Sequence, residues 1–263
     1  MPGAGRPHHG DRLSLTRRGD PGHRPDPYRC AMIPNEAQGT AAYSGLAFAR
    51  EAVRTFRATG AIAPSSRRLS ARLAASVVPQ DRPAKVLEVG AGTGVVTRAV
   101  AARLGPGGRL DAVEVNPRFA EVLRNALATD PVLGAVADRV TVIPESITTM
   151  RMEHRYDVII SGLPFMNFEP AEVRDILQRY LAALVPGGQL ALYGYLGTQV
   201  VRRLGGSRAA AARQRAVGAV LADYEHRYGS HRTVVWRNLP PARIRYLRAP
   251  TVAGDQEGPT AVG

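Results

Sequence analysis

Apolar positions recur with two different periods along this chain. From Thr40 to Arg57 they follow a helical spacing: Leu46, Phe48, Ala49, Ala52, Val53 and Phe56 share one face at about 100° per residue. Arg50, Arg54 and Arg57 line up beside that face, and Gly60 and Pro64 end the pattern. A second helix is predicted after it, capped by Ser65 or Ser66, with Leu69, Leu73 and Val77 inward. The middle of the chain then alternates. Short apolar runs at Val86–Val89, Leu110–Val115, Val140–Ile143, Tyr156–Ser161 and Gln189–Tyr193 predict strands. Helical patterns at Val95–Leu104, Pro117–Ala128 and Pro170–Leu184 separate them, with Pro117 suited to a first helical position and Pro186-Gly187-Gly188 read as a turn. The unbroken centre Val158-Ile159-Ile160 fits a strand buried on both faces. A helical stretch near 207–227 and two β-like runs, Thr233–Trp236 and Ala242–Leu247, close the pattern as an antiparallel pair. The expectation is an α/β fold: a Rossmann-like doubly wound sheet, mostly parallel with an antiparallel C-terminal strand.

Residues 1–38 are rich in Pro, Gly, Arg and His without periodicity, and a disordered tail is expected there. A single domain is expected over 39–250, followed by a disordered tail at 251–263. Met1 and Met32 both fit as the start, since nothing before Met32 looks structural.

Charge changes the picture only through its placement. The chain of 263 residues carries 35 basic and 22 acidic side chains, and Lys85 is its only lysine. Residues 86–193 hold 10 basic against 12 acidic groups, whereas 40–85 hold 8 against 2 and 194–250 hold 11 against 2. A slightly acidic centre between two basic flanks suggests an anionic partner, either nucleic acid or a phospholipid surface. One cysteine, Cys30, leaves no material for a disulfide framework or a cysteine-based metal site. His154, His226 and His231 form no ligand spacing, so no metal is expected. The absence of a long apolar run or a secretory core leads to the expectation of a cytoplasmic protein, peripherally associated with the inner face of the membrane.

The chemistry is expected at Val86-Leu87-Glu88-Val89-Gly90-Ala91-Gly92-Thr93-Gly94, a strand that runs into glycines and opens a helix. Without side chains there, a ligand approaches the backbone closely. The spacing G-x-G-x-G differs from the dinucleotide G-x-G-x-x-G, because Val95 stands where the third glycine would be. Twenty residues on, Glu114 ends the second strand, where an acid can hold both ribose hydroxyls of an adenosine ligand.

These residues resemble the class I S-adenosylmethionine-dependent methyltransferases, from about Leu69 to Leu247. The resemblance implies S-adenosyl-L-methionine as cofactor. Glu88, Gly90, Ala91, Gly92 and Gly94 would cradle its methionine part, and Glu114, with Val115 and Asn116, its ribose. Glu145 and Ser146 stand where the family usually places an acid on the adenine, although Pro144 replaces a common glycine. The fourth strand ends Ser161-Gly162-Leu163-Pro164-Phe165, similar to the polar–apolar–Pro–aromatic strand end of amine methyltransferases. The resemblance assigns Ser161, Leu163 and Phe165 to the reacting centre, with Ser161 also near the cofactor.

A narrower resemblance rests on Phe56–Arg67, Ser161–Phe165 and Trp236-Arg237-Asn238-Leu239-Pro240-Pro241-Ala242, which are similar to the soluble bacterial phospholipid N-methyltransferases. It implies stepwise methylation of phosphatidylethanolamine to phosphatidylcholine on a membrane surface. In that family an N-terminal helix lies on the membrane, and the helix at 40–57 takes that place. Arg50, Arg54, Arg57, Arg202, Arg203 and Arg208 would meet anionic lipid or the headgroup phosphate, with Ser65 and Ser66 beside them. A neutral primary amine is the expected nucleophile, with alignment supplying most of the acceleration. Its proton would leave through Tyr43 or through water near Ser161. The rival is the ribosomal RNA adenine dimethyltransferase family, which normally has Asn before the apolar–Pro–aromatic step and adds a C-terminal helical domain. A methyltransferase of a diffusible small molecule is the further alternative.

Overall fold

Val, Leu and Ile dominate the short runs between glycine and proline breaks, and each run pairs as a strand of one sheet. The computed structural model describes residues 67–78, 81–152, 156–196, 208–238 and 240–251. All of them lie within the unit Gly39–Gly263. The elements are α1 (Arg67–Ala74), β1 (Lys85–Val89), α2 (Val95–Ala101), β2 (Arg109–Val113), α3 (Pro117–Thr129), a short α4 (Pro131–Gly134) and β3 (Val140–Ile143). They continue with β4 (Tyr156–Ser161), α5 (Pro170–Ala183), β5 (Leu184–Tyr195), α6 (Arg208–Tyr228), β6 (Gly229–Val235) and β7 (Ala242–Arg248). The seven strands run in the order β3-β2-β1-β4-β5-β7-β6. The first five are parallel, and β7 is antiparallel to both neighbours. Strand order therefore reverses between β1 and β4, and ligands of open α/β sheets bind beyond the carboxyl ends of strands at such a point.

Alternation along the strands divides the core into two layers. Val86, Val158, Ile160, Ala191 and Ile244 face Leu69 and Leu73 of α1 and Val96 and Val100 of α2. Leu87, Val89, Ile159, Leu190 and Leu192 face Ile176, Leu177 and Tyr180 of α5 and Val217 and Leu221 of α6. Full burial of each aliphatic side chain is worth about 1.5–3 kcal/mol. Ile160, fully buried at the sheet centre, is a position where truncation to alanine is expected to cost about 2–5 kcal/mol. At the amino ends of the strands, buried Asp157 accepts from Arg82 and from the Lys85 backbone N–H (2.8 Å). That ion pair closes the edge opposite the glycine loop.

The helices start for local reasons. Asn116 caps α3 by accepting from the Arg118 N–H (3.0 Å), with Pro117 at the first position. Glu169 and Glu172 close a capping box at the start of α5.

The fold class is the expected one; the differences lie at element ends, in the short α4, which no sequence pattern predicts, and at Pro186–Gly188. Leu69, Leu73 and Val77 are buried as expected, Val77 lying beyond the last turn of α1. The second strand stops at Val113, not Val115, because Glu114 turns its carboxylate back onto the backbone. Pro186-Gly187-Gly188, expected as a turn, lies inside the longer β5. The register between Tyr156 and Val158 shifts there, Gly187 takes a positive φ of 72°, and Gly187 and Gly188 hydrogen-bond to Ala249. A bulge absorbs the extra residues, so the strand continues. The expected helix at 40–57 and the caps Ser65 and Ser66 lie outside the described residues.

Candidate active site

The carboxyl ends of β1, β2 and β4 meet through backbone hydrogen bonds that continue past the strands. Gly90 and Ala91 N–H donate to the Val113 carbonyl (2.9 and 3.1 Å), Glu114 N–H to Ile143 (3.0 Å) and Gly162 N–H to Val89 (2.9 Å). The glycine loop is thus held between the Glu114 segment and the turn after β4.

Its glycines have different tasks. Gly92 has φ +58°, and a β-carbon there would meet nothing within 4 Å. The space over it is open. Gly94 has φ +89°, and its β-carbon would lie 2.6 Å from Leu123 Cδ1, so its absence lets α3 pack against the start of α2. Gly90 faces the neighbouring turn: a β-carbon there would contact the Gly162 carbonyl carbon at 3.6 Å and Leu163 Cδ2 at 3.7 Å.

Glu114 is 7% exposed, and both of its carboxylate oxygens accept a backbone N–H. Oε2 takes Gly92 and Oε1 takes Asn116, each at 2.8 Å. Burial pushes its carboxyl above the ordinary range, and the two backbone donors oppose that shift. Each oxygen keeps a further lone pair, so the group is oriented without being saturated. Glu88, 2% exposed on β1, leaves Oε2 with no hydrogen-bond partner among the described residues. Burial pushes its carboxyl up to about 8; Thr97 opposes the shift and the charge of Glu114 adds to it. A carboxyl raised so far is mostly protonated at neutral pH.

The remaining expected site residues divide between the loop edge and the core. Val115 is half-buried and Asn116 buried, beside Glu114. Glu145 is exposed in the loop after β3. Ser146 turns its hydroxyl to Thr148 (2.8 Å) and also accepts the Thr148 N–H (3.3 Å). Ser161 is fully buried, and its hydroxyl lies 3.1 Å from that of Tyr180 on the α5 side of the sheet. Phe165 is buried against Phe168, ring centroids 6.0 Å apart, whereas half-buried Leu163 reaches the glycine loop. Arg208 is exposed at the start of α6. Tyr43, Arg50, Arg54, Arg57, Ser65, Ser66, Arg202 and Arg203 lie outside the described residues. Among the described residues no cluster of three or more His, Cys, Asp or Glu could hold a metal.

Two features here were not singled out as site residues from sequence. Gly162 packs against Gly90, and Tyr193 of β5 covers Gly162. No local pattern marks them: β4 and β5 pair Ser161 with Leu192, and only that register brings Gly162 beside Tyr193.

A methyltransferase domain family matches residues 86–188, the span from β1 into β5. An ornithine lipid N-methyltransferase of Singulisphaera acidiphila is 33% identical over 135 residues, covering 50% of this chain and 67% of that protein. A tRNA1(Val) (adenine(37)-N6)-methyltransferase of Yersinia enterocolitica is 32% identical over 114 residues, covering 41% of this chain and 43% of that enzyme. The chain thus spans less than half the length of the tRNA enzyme. Among solved structures, cofactor-bound Rv0187 from MTB superposes with a TM-score of 0.55 at 20% identity, over 84% of this chain and 100% of that one. The chain belongs to the class I S-adenosylmethionine-dependent methyltransferases, and S-adenosylmethionine is its cofactor.

The cradle fits that cofactor: open space over Gly92, an oriented carboxylate at Glu114 and an orphaned carboxyl oxygen at Glu88.

Proposed function

We propose that this methyltransferase transfers methyl groups to the amine headgroup of a membrane lipid, with phosphatidylethanolamine and its partly methylated forms as acceptors. The observation that carries this reading is the likeness to the ornithine lipid N-methyltransferase, which extends over two thirds of that enzyme's length. Placement of basic and aromatic groups supports it. Trp236 is 72% exposed in the turn between β6 and β7. Ala242, which follows that turn, pairs with Tyr195 at the carboxyl end of β5, so the turn sits on the edge that carries the glycine loop. Asn238 is buried and donates from its backbone to Val235 (3.3 Å) and from Nδ2 to Pro240 (2.6 Å). This fixes the turn and leaves Trp236 and Arg237 outward, a pairing suited to the interfacial zone of an anionic bilayer. Arg50, Arg54 and Arg57 of the expected helix at 40–57, with Arg202, Arg203 and Arg208, would add to that surface. Among the described residues no helix is long and apolar enough to cross a membrane. The attachment we propose is peripheral, through this basic and aromatic surface.

S-adenosylmethionine supplies an electrophilic methyl group. The chain's own residues would do the rest. The loop Gly90–Gly94 would hold the methionine part, Glu114 the ribose hydroxyls, and Glu145 with Ser146 would lie toward the adenine. Leu163 beside Gly90 would keep water from the reacting line. The acceptor amine must arrive neutral, whereas a lysine-like amine has a pKa of about 10.4 in water. Desolvation at the strand ends lowers that value and favours the nucleophilic form.

The test is methyl transfer from labelled cofactor to vesicles of phosphatidylethanolamine and phosphatidylglycerol, compared with RNA and soluble amines. Labelled headgroups support the reading. A second reading, adenine N6-methylation, is favoured by the tRNA enzyme likeness and predicts labelled adenine without any need for lipid.

A further inference from the structure

The strand end Ser161-Gly162-Leu163-Pro164-Phe165 lacks, on this chain, an outward polar side chain. Ser161 is fully buried and its hydroxyl is turned to Tyr180 on the α5 side. The next residue, Gly162, points to the other side of the sheet but has no side chain. Its backbone does not require glycine, since its φ lies outside the positive region that side chains avoid. What excludes a side chain is Tyr193. A β-carbon at Gly162 would overlap the Tyr193 hydroxyl and lie 2.7 Å from its Cζ and 2.9 Å from its Cε1. The phenol of β5 therefore occupies the volume that a side chain of β4 would fill. The same glycine touches the cofactor loop: its carbonyl carbon and oxygen stand 3.6 and 3.8 Å from where a Gly90 β-carbon would be. Tyr193 is supported by Tyr195, whose ring meets it edge-on at 6.4 Å, and by Ile244 of β7 opposite in the register.

We propose that the Tyr193 hydroxyl is the polar group of the acceptor subsite, reaching from β5 over Gly162 to the mouth of the glycine loop. It accepts a hydrogen bond from an N–H of a neutral primary or secondary acceptor amine and so aims the nitrogen lone pair at the transferable methyl group in the first two transfers. A neutral tertiary amine has no N–H, and the third transfer proceeds without this contact. The exchange is one of position: a polar side chain on β4 is replaced by a glycine plus a tyrosine from the neighbouring strand. A tyrosine head on a rigid ring reaches farther from its backbone than a serine hydroxyl and loses few rotamers when fixed. A large headgroup amine held at a surface is better met by such a group. The assignment rests on the reading that the acceptor atom is an amine nitrogen.

The experiment uses the full chain, labelled cofactor and three acceptors: phosphatidylethanolamine/phosphatidylglycerol vesicles, RNA and ethanolamine. Cofactor affinity is measured separately by calorimetry. Tyr193→Phe removes one oxygen atom and is expected to lower kcat for the acceptor that wild type methylates by about 10- to 100-fold, because misaligned reactants lose rate on that scale. Cofactor Kd should stay within about twofold, below the effect of one lost hydrogen bond. Gly162→Ala should displace the phenol and give a similar loss, and the double variant should be no worse than either single one. Gly162→Asn in a Tyr193→Ala background, where no ring fills the space over position 162, should recover part of the kcat that Tyr193→Ala alone loses, a rescue that a merely structural tyrosine would not show. Wild-type kcat in Tyr193→Phe overturns the assignment, as does a loss of cofactor affinity equal to the loss of rate. Label on RNA and none on vesicles contradicts the lipid reading alone; the Tyr193 comparison is then decided on RNA by the same criteria.

Discussion

The two halves of the site edge are built on different plans. On the half proposed to hold the cofactor, the arrangement is built from backbone: three glycines of positive φ, N–H groups of Gly92 and Asn116, and a carboxylate that both of them orient. On the proposed acceptor half, the groups are side chains that cross between elements, Leu163 reaching Gly90 and Tyr193 covering Gly162. A backbone cradle depends on a short glycine motif and on the end of the strand beside it. A side-chain subsite depends on which strand lies next to which, and it can exchange residues between strands while keeping its shape.

This contrast predicts graded effects. Gly92→Val puts a β-branched side chain at φ +58° into the open space of the cradle. Cofactor binding should become undetectable by calorimetry, with a secondary stability loss of roughly 1–3 kcal/mol from backbone strain. Glu114→Ala removes the oriented carboxylate and should weaken cofactor binding by roughly 1.5–3 kcal/mol, about 10- to 150-fold, the usual worth of hydrogen bonds to a charged group. Gly94→Ala separates the motif's two tasks. Its β-carbon would strike Leu123, so the melting temperature should fall well before cofactor affinity does, whereas Gly92→Ala should do the reverse.

Glu88 adds a pH dependence. Its folded pKa of about 8 stands above the ordinary carboxyl value of 4.5. The folded state therefore binds more protons than the unfolded state between these values, and stability falls as pH rises through that window. The contribution is complete below about 4.5 and is lost by about 8, a swing of order a few kcal/mol. Glu88→Gln should flatten this slope in denaturant titrations at pH 5, 6.5 and 8. An unchanged slope would mean that Glu88 is not buried as a neutral acid. The smallest effect belongs to the rim: Trp236→Ala should weaken binding to anionic vesicles by about 1 kcal/mol, part of the worth of burying a large apolar side chain. Cofactor affinity should not move, and vesicle sedimentation beside calorimetry separates the two.

The same contrast explains how far the sequence could be read. The glycine loop was legible because its residues are contiguous and suit close approach, and Glu114 because an acid at the next strand end has its own local reason. The sheet was legible because continuous apolar runs such as Val158–Ile160 leave few alternatives. Pro186–Gly188 misled because a bulge and a turn use the same residue types, and only pairing with Ala249 decides between them. Ser161 is the polar residue of its strand end in the sequence; which face it takes follows from strand parity, which turns its hydroxyl toward Tyr180, 19 residues on. Tyr193 carried no motif of its own. Its place depends on β5 lying beside β4, a register that no local pattern encodes.

The central claim is that this edge delivers a methyl group to a lipid amine. One measurement tests it most directly: purified protein, labelled S-adenosylmethionine, phosphatidylethanolamine-containing anionic vesicles and tRNA in a single competition, with products resolved by mass spectrometry. The account predicts label in mono-, di- and trimethylated headgroups, with transfer falling as salt rises and screens the basic surface. Label confined to N6-methyladenine, with unmodified headgroups, would contradict it.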